Sequence, residues 1–290
     1  MIFLNLTGGL GNQLFEYAFA RKFQKKTGTP IQISTYEISR FIENRQPSIN
    51  QYKLNDGVSF TTRKFPWYVD RRNYLAKILR RVSPSMFFNI FSKRGAFVWY
   101  EDKYIEIPNT NSKDVYIGGY WQSENYFREI LPILRKEFVP RKMPMESKRL
   151  LEEIKGEEDN VCLHVRRGDY FLTKNDIYQV CTLDYFNSAV AKMREHTNGR
   201  IYVFSDDIEW CQYNLNIKGE HKFVTFNNPD FLDLYLMSNC SNFIISNSTF
   251  SWWAQELSSN PKKVVIAPSK WRNDTSYDFI YKSEWKLIDV

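Results

Sequence analysis

Apolar and polar positions fall into blocks along this 290-residue chain, and the blocks become regular in its second half. Ile2 to Leu6 reads as a strand. Asn12 to Lys26, with Leu14, Phe15, Ala18, Phe19 and Phe23 at helical spacing, reads as a helix. A second strand is expected at Pro30 to Ser34. From Tyr36 to Asp114 the pattern is irregular. Order returns at Asp114 to Ser123, a strand and glycine turn leading into a helix over Tyr126 to Phe138. Pro140 to Pro144, with two prolines and two basic residues, reads as a linker.

Beyond the linker, helices are expected at Glu146 to Ile154, Leu183 to Glu195, Ile208 to Tyr213, Asp230 to Met237 and Ser251 to Leu257. Between them lie apolar strands at Val161 to Val165, Ile201 to Ser205, Phe223 to Phe226, Phe243 to Ser246 and Lys263 to Ala267. Strands alternating with helices predict a parallel, doubly wound sheet with right-handed crossovers. The strand, turn and helix at the N-terminus begin another. The expected fold is α/β, two Rossmann-like domains facing a cleft, over residues 1–140 and 145–290.

Composition supports a packed enzyme-sized protein. Hydrophobic residues make up 43% and aromatics 17%, which excludes global disorder. No run approaches the roughly 18 consecutive apolar residues of a membrane span. The N-terminus lacks the charged region and cleavage site of a signal peptide. Cys162, Cys181, Cys211 and Cys240 are widely spaced without a C-x-x-C, suggesting neither a zinc site nor a disulfide framework. A cytoplasmic location is expected.

The net charge of +7 is local. Between Thr61 and Gly95 there are nine Lys/Arg against one acid, Asp70, so the rest of the chain nets −1. That distribution argues against a nucleic-acid-binding protein. Within it, Arg71 to Val82 reads as a basic amphipathic helix flanked by Trp67, Phe87, Phe88 and Phe91. A solvated helix packed on the core is one reading. The other is a surface over residues 61–95 that docks on anionic lipid.

Four stretches carry candidate chemistry. Val161-Cys-Leu-His-Val-Arg-Arg-Gly-Asp-Tyr170 begins as a buried strand and turns polar at its carboxyl end, where open α/β sheets bind ligands. Guanidinium forks match phosphate oxygens bidentately. Side chains alternate along a strand, so one arginine is expected to clamp phosphate and its neighbour to brace the loop. A surface pair with a nearby carboxylate, or an Arg-Gly-Asp adhesion tripeptide at 167–169, are the plainer readings. Val203-Phe-Ser-Asp-Asp207 ends another strand, with Ser205 and Asp206 suited to a base or ribose and Asp207 to capping a helix. Its adjacent aspartates lack the D-x-D spacing of a metal-bound nucleotide sugar. Ile244-Ile-Ser-Asn-Ser-Thr-Phe-Ser-Trp-Trp253 places its hydroxyl and amide residues in a strand-to-helix turn, where backbone N–H groups and the helix dipole favour phosphate. The fourth, Gly8-Gly-Leu-Gly-Asn-Gln13, is a poor dinucleotide fingerprint because Leu14 takes the third glycine position and no acid ends the next strand. It suits a turn presenting N–H groups and the Asn12 and Gln13 amides to a ligand.

Taken in order, His164-Val-Arg-Arg-Gly-Asp-Tyr170, Val203 to Asp207 and Asn247 to Trp253 resemble the three motifs of the α-1,2-fucosyltransferases of glycosyltransferase family 11. Gly8 to Phe15 and Gly119-Tyr-Trp-Gln-Ser-Glu124 are similar to that family too. The resemblance implies a GT-B fold, GDP-fucose as donor, a galactose-terminated glycan as acceptor, inversion and no metal. It implies that Arg166 holds the β-phosphate with Arg167 bracing it, and that His164 and Asp206 contact guanine. Ser205, Asn247, Ser248, Thr249 and Phe250 complete the donor side, Ser248 and Thr249 at phosphate oxygens. Gly11, Gln13, Trp121 and Glu124 fall on the acceptor side. Asp169 and Glu124 are candidate bases, Glu16 a weaker one, and Asn12 is placed to orient the sugar. A transferase using another nucleotide sugar, or a noncatalytic nucleotide-binding protein, are the alternatives.

Overall fold

The computed structural model describes residues 1–41, 47–168 and 176–290. Its contacts divide the chain into two compact units, Met1–Val139 and Pro140–Val290.

The first unit runs β1 (Ile2–Asn5), α1 (Leu10–Thr27), β2 (Ile31–Ser34), α2 (Tyr36–Phe41), β3 (Val58–Thr61), α3 (Tyr74–Val82), α4 (Pro84–Ser92), β4 (Ala96–Trp99), β5 (Val115–Gly119) and α5 (Leu131–Glu137). The strands form one parallel sheet in the order β3-β2-β1-β5-β4, with Ile2 opposite both Ile31 and Val115. Strand order reverses between β1 and β5, and the carboxyl ends at such a switch point are where this architecture takes ligands. Leu4, Ile33 and Ile117 are fully buried in the sheet, and Phe15 and Phe19 of α1 are buried with them.

Two elements differ from the sequence expectation for physical reasons. The basic helix starts at Tyr74, three residues late, because the Asn73 side chain accepts from the Ala76 N–H at 3.1 Å and caps it there. Ser83 caps α4 in the same way, with Pro84 in the first turn. The single helix expected over Tyr126 to Phe138 is instead two 3₁₀ turns, Glu124–Tyr126 and Arg128–Ile130, followed by α5. Pro132 lacks the N–H that would continue a helix from upstream, so α5 starts just before it.

The second unit runs α6 (Met145–Gly156), β6 (Val161–Val165), α7 (Leu183–Arg194), β7 (Ile201–Ser205), α8 (Ile208–Asn214), β8 (His221–Phe223), α9 (Asp230–Met237), β9 (Asn242–Ile244), α10 (Thr249–Leu257), β10 (Val265–Pro268) and β11 (Lys286–Ile288). Its sheet is parallel and six-stranded, in the order β11-β10-β9-β6-β7-β8. All five residues of β6 are buried, as befits a central strand covered on both faces. The sixth strand was not expected. It is a three-residue edge strand, Lys-Leu-Ile, with Leu287 49% exposed, so it carries no buried apolar run to read. The switch point here lies between β6 and β9. All four cysteines are buried and free.

Candidate active site

The arginine motif leaves β6 at the switch point and is held there by the neighbouring strand ends. Ser246, just past β9, donates its hydroxyl to the His164 carbonyl at 2.7 Å and accepts from the Arg166 N–H at 3.1 Å. Asp206, just past β7, does the rest. Its Oδ1 accepts from the Arg167 N–H at 2.9 Å, and its Oδ2 pairs with Arg166 Nη1 at 2.9 Å. Both side chains of that pair are 26% exposed, so solvent and ligands still reach them.

Arg167 goes the other way. Its Nε donates to Asp207 Oδ2 at 3.2 Å, and its guanidinium lies 3.8 Å from the centroid of the Trp210 ring. Asp207 meanwhile accepts from the Trp210 N–H with Oδ1 and caps α8. A guanidinium stacked on an aromatic face and paired on its edge is a fixed support. The two arginines, both just beyond the end of β6, take different partners: Arg167 is stacked on Trp210 and paired with Asp207, and Arg166 is paired with Asp206. Ser205 accepts from the Asp207 N–H at 2.9 Å and shapes that turn.

His164 is only 4% exposed, and its Nδ1 is buried without a hydrogen-bond partner. Burial, with the nearby Arg166 charge, pushes its imidazole from the ordinary 6.5 down to about 3, against the opposing pull of Asp206. It is neutral at physiological pH. Phe250 lies beside it at 5.4 Å between ring centroids. A buried orphan nitrogen is the kind of group a ligand completes.

After β9 the chain turns into α10. Ser248 caps that helix, accepting from the Phe250 N–H at 3.3 Å, while Thr249 and Phe250 are half-buried in its first turn. Asn247 is drawn inward: its amide donates to the Tyr178 and Trp271 carbonyls at 3.1 and 3.0 Å, and its Oδ1 accepts from the Cys181 thiol. This corrects its expected place as a donor-contacting side chain; its hydrogen bonds fix the loop that carries Ser248.

In the first unit, Gly8 has φ +67°, a left-handed conformation natural to glycine, and Gly9 precedes α1. A Cβ on Gly8 would lie 2.6 Å from Asn12 Nδ2. Asn12 accepts from Gln122 Nε2 at 2.9 Å, joining the turns after β1 and β5 across the switch point. Gln13 is 1% exposed, donating to the Gly8 carbonyl and accepting from the Ile49 N–H, and Gly11 is buried as well. Trp121 is 2% exposed and stacks flat on Phe19 at 3.9 Å. Gln13 is therefore framework, a correction to its expected acceptor-facing role, whereas the Trp121 ring is packed but its Nε1 is buried without a hydrogen-bond partner. Trp121 also sits at φ +53°, strain of the order of 1–2 kcal/mol for a bulky residue, which its packing offsets.

Glu124 is 22% exposed and paired with Arg128 at 2.6 Å. Glu16 is fully buried, accepting from both the N–H and the hydroxyl of Thr7, and burial raises its carboxyl well above the ordinary range. Enclosed at 0% exposure with both oxygens engaged by Thr7, this carboxyl has no path to a ligand's hydroxyl. Asp169 lies outside the described residues.

Sequence reasoning missed three participants. The spacing places Ser246 at a strand end within a polar turn, but does not show that its hydroxyl ties the arginine motif to β9. Glu37, three residues beyond β2, turns its carboxylate back to accept from Asn5 Nδ2 and the Arg71 N–H, each at 2.9 Å. Arg71 then lies over Tyr120 and Tyr100, at 5.1 and 5.9 Å. No spacing rule joins residues 5, 37, 71, 100 and 120; only the sheet edge does. A cavity of about 330 Å³ lies at the opposite end of that sheet, where Met1, Ile2 and Val115 begin their strands. Among the described residues no cluster of three or more His, Cys, Asp or Glu is arranged to hold a metal ion.

Two parallel Rossmann-like sheets, the second with an arginine motif and a capped helix meeting at its switch point, define a glycosyltransferase fold of the GT-B type. Residues 1–289 match Glycosyl transferase family 11, and the chain belongs to that family. Over 284 residues it is 31% identical to the alpha-1,2-colitosyltransferase of Escherichia coli, covering 93% of this chain and 92% of that protein. Over 160 residues it is 31% identical to a galactoside 2-alpha-L-fucosyltransferase of Caenorhabditis elegans, covering 51% of this chain and 43% of that protein. The fucosyltransferase NodZ from Bradyrhizobium shares the fold, with a TM-score of 0.54 at 16% identity over 91% of this chain and 94% of that one.

Proposed function

We propose that this protein transfers L-fucose from GDP-fucose, with inversion and without a metal ion, to the 2-hydroxyl of a terminal galactose on a glycan. The observation that carries this reading is Arg166, held by Asp206 and Ser246 at the end of β6 beside the buried, unpartnered nitrogen of His164. Guanine is the base expected against His164 and Asp206, whose carboxylate oxygens suit its N1–H and N2 donors.

In the reaction the bond from sugar C1 to the β-phosphate breaks, and its electron pair leaves with GDP. The galactose 2-oxygen bonds to C1 from the opposite face and gives up its proton. Arg166 and the N–H groups at the start of α10, with the Ser248 and Thr249 hydroxyls, meet the charge growing on the departing phosphate. One preorganised donor of that kind is worth about 10²–10³ in rate. As the family resemblance implies, Asn12 is the candidate to orient the sugar, and Asp169 and Glu124 are the candidate groups to take that proton. Their Ala variants, compared by pH–rate profile, distinguish the two.

The full-length likeness to a colitosyltransferase favours a second donor. Colitose is fucose without its 3-hydroxyl, so a site for one accommodates the other with a single polar contact changed. Purified protein offered labelled GDP-fucose, GDP-colitose and GDP-mannose with a panel of β-galactosides tests both readings. Turnover with GDP-fucose supports the first and a preference for GDP-colitose the second. GDP-mannose as the sole donor, or GDP binding without any turnover, overturns both.

A further inference from the structure

The helix α3 carries an apolar stripe that faces away from the protein. At 3.6 residues per turn, Tyr74, Leu75, Ile78 and Val82 fall within an arc of about 100°. They are 78%, 53%, 41% and 73% exposed. Ala76 and Arg80, on the far side of the helix, are the buried ones, with Ala76 resting on a small core of Val69, Phe87 and Val98. An ordinary surface helix has its apolar stripe on the buried side. Here Arg80 takes the inward place, donating to the Arg71 carbonyl at 2.7 Å and lying over Tyr100, and the aliphatic residues point out. The next helix, α4, begins immediately after Ser83 and exposes Met86 and Ile90, at 51% and 47%.

Cations flank this stripe. Lys77 and Arg81 are exposed beside it on α3, and Lys93 and Arg94 close α4. The segment's surplus of basic residues accounts for the whole positive charge of the chain. Charge and apolar exposure together select among occupants. A second copy of this chain would bring the same cations face to face. Nucleic acid would meet the cations but leave the aliphatic stripe in water. An anionic lipid surface satisfies both, with headgroups at the rim and acyl chains beneath the stripe.

We propose that α3 and α4 form a peripheral docking surface for an anionic lipid bilayer, with Tyr74, Leu75, Ile78 and Val82 inserted and Lys77 and Arg81 at the headgroups. No helix among the described residues is long and apolar enough to cross a membrane, so this contact is reversible. Each basic residue near an anionic surface multiplies partitioning by about fivefold. The proposal does not depend on the donor or acceptor assigned above.

The test is co-sedimentation of the full chain with phosphatidylcholine vesicles, with and without about 30% phosphatidylglycerol, at low and high salt. The wild type is expected to pellet on anionic vesicles at low salt and to be released by salt or by omission of phosphatidylglycerol. Leu75→Glu with Ile78→Glu, both exposed and so compatible with folding, should abolish pelleting; Lys77→Gln with Arg81→Gln should weaken it roughly 20-fold. Circular dichroism melts confirm that each variant is folded. Absence of wild-type pelleting, equal pelleting on neutral vesicles, or pelleting unchanged in the Leu75→Glu/Ile78→Glu variant overturns the proposal. So does a concentration-dependent dimer in light scattering that this variant abolishes, since the stripe would then belong to a second copy.

Discussion

Arg166 and Asp206 meet at 2.9 Å across the ends of two adjacent strands, and the same carboxylate takes the N–H of Arg167 with its other oxygen. One acid thus sets both the direction of the Arg166 guanidinium and the path of the backbone that carries it.

Arg166→Lys keeps the charge but loses the planar fork, so kcat/KM for the nucleotide sugar should fall about 10²–10³-fold with the fold intact. Asp206→Asn keeps an acceptor for the Arg167 N–H and removes the ion pair, so its loss should be smaller, roughly tenfold to 100-fold. Steady-state kinetics with GDP-fucose and a thermal melt of each variant decide this. Equal activity of the lysine variant and the wild type would contradict the assignment of Arg166.

The proposed transfer, with Arg166 and the start of α10 meeting the phosphate charge, implies activity without a divalent cation. Activity in excess EDTA should match activity in Mg²⁺ after the protein has been passed through chelating resin. A rate that collapses with EDTA and returns with added divalent ion would place a metal in the reaction.

The second unit was legible in the sequence because its signals are local. Val161–Val165 and Ile201–Ser205 are short apolar runs ending in polar clusters, and both strands occur where the pattern puts them. What failed was long-range. Asn247 lies in a motif suited to phosphate, yet its amide is consumed by carbonyls of residues 178 and 271. The resemblance put Trp121 and Gln13 on the acceptor side, but motif matching carries no packing information; contact with Phe19 and bonding to Ile49 turn the Trp121 ring and the Gln13 amide inward. The region from Tyr36 to Asp114 hid two strands and the outward stripe of α3, since an apolar face pointing at solvent has the same periodicity as one pointing at a core.

His164 gives a pH signature. Its folded value, about 3, lies below its ordinary 6.5. As pH falls, the unfolded chain takes up the proton first. Stability from the neutral imidazole is therefore complete above pH 6.5 and is lost at roughly 1.4 kcal/mol per pH unit below it. Urea unfolding of wild type and His164→Gln between pH 7 and pH 5 should show the steeper decline in the wild type. Parallel curves would mean that the imidazole is not buried neutral. The same variant should raise the KM for the nucleotide sugar about three- to tenfold, the effect of one neutral hydrogen bond.

Glu16 carries the opposite sign. Its carboxyl is raised by burial, so the folded protein keeps a proton that the unfolded chain has released, and stability falls as pH rises toward the folded value. Glu16→Gln should flatten that fall and be at least as stable as the wild type at pH 7. Glu16→Ala should cost about 1–3 kcal/mol by leaving the Thr7 N–H and hydroxyl unpartnered. The glutamine variant should also keep its kcat, because a fully enclosed side chain cannot reach the acceptor hydroxyl. A glutamine variant that folds but has lost turnover would return Glu16 to the list of bases.

Gly168 offers a route to the same site without touching a charged residue. A Cβ there would stand 2.6 Å from Asp206 Oδ2, the oxygen that pairs with Arg166. Asp206 is a short side chain tied at its other oxygen, so the added methyl must push it off the guanidinium or push the arginine loop away. Gly168→Ala should therefore lower kcat/KM about as far as Asp206→Asn does, with stability changed by about 1 kcal/mol or less. If both substitutions act through the one ion pair, Gly168→Ala with Asp206→Asn should be no worse than Asp206→Asn alone. Multiplied losses in the double variant would show that the glycine is needed for something other than the space that Asp206 occupies.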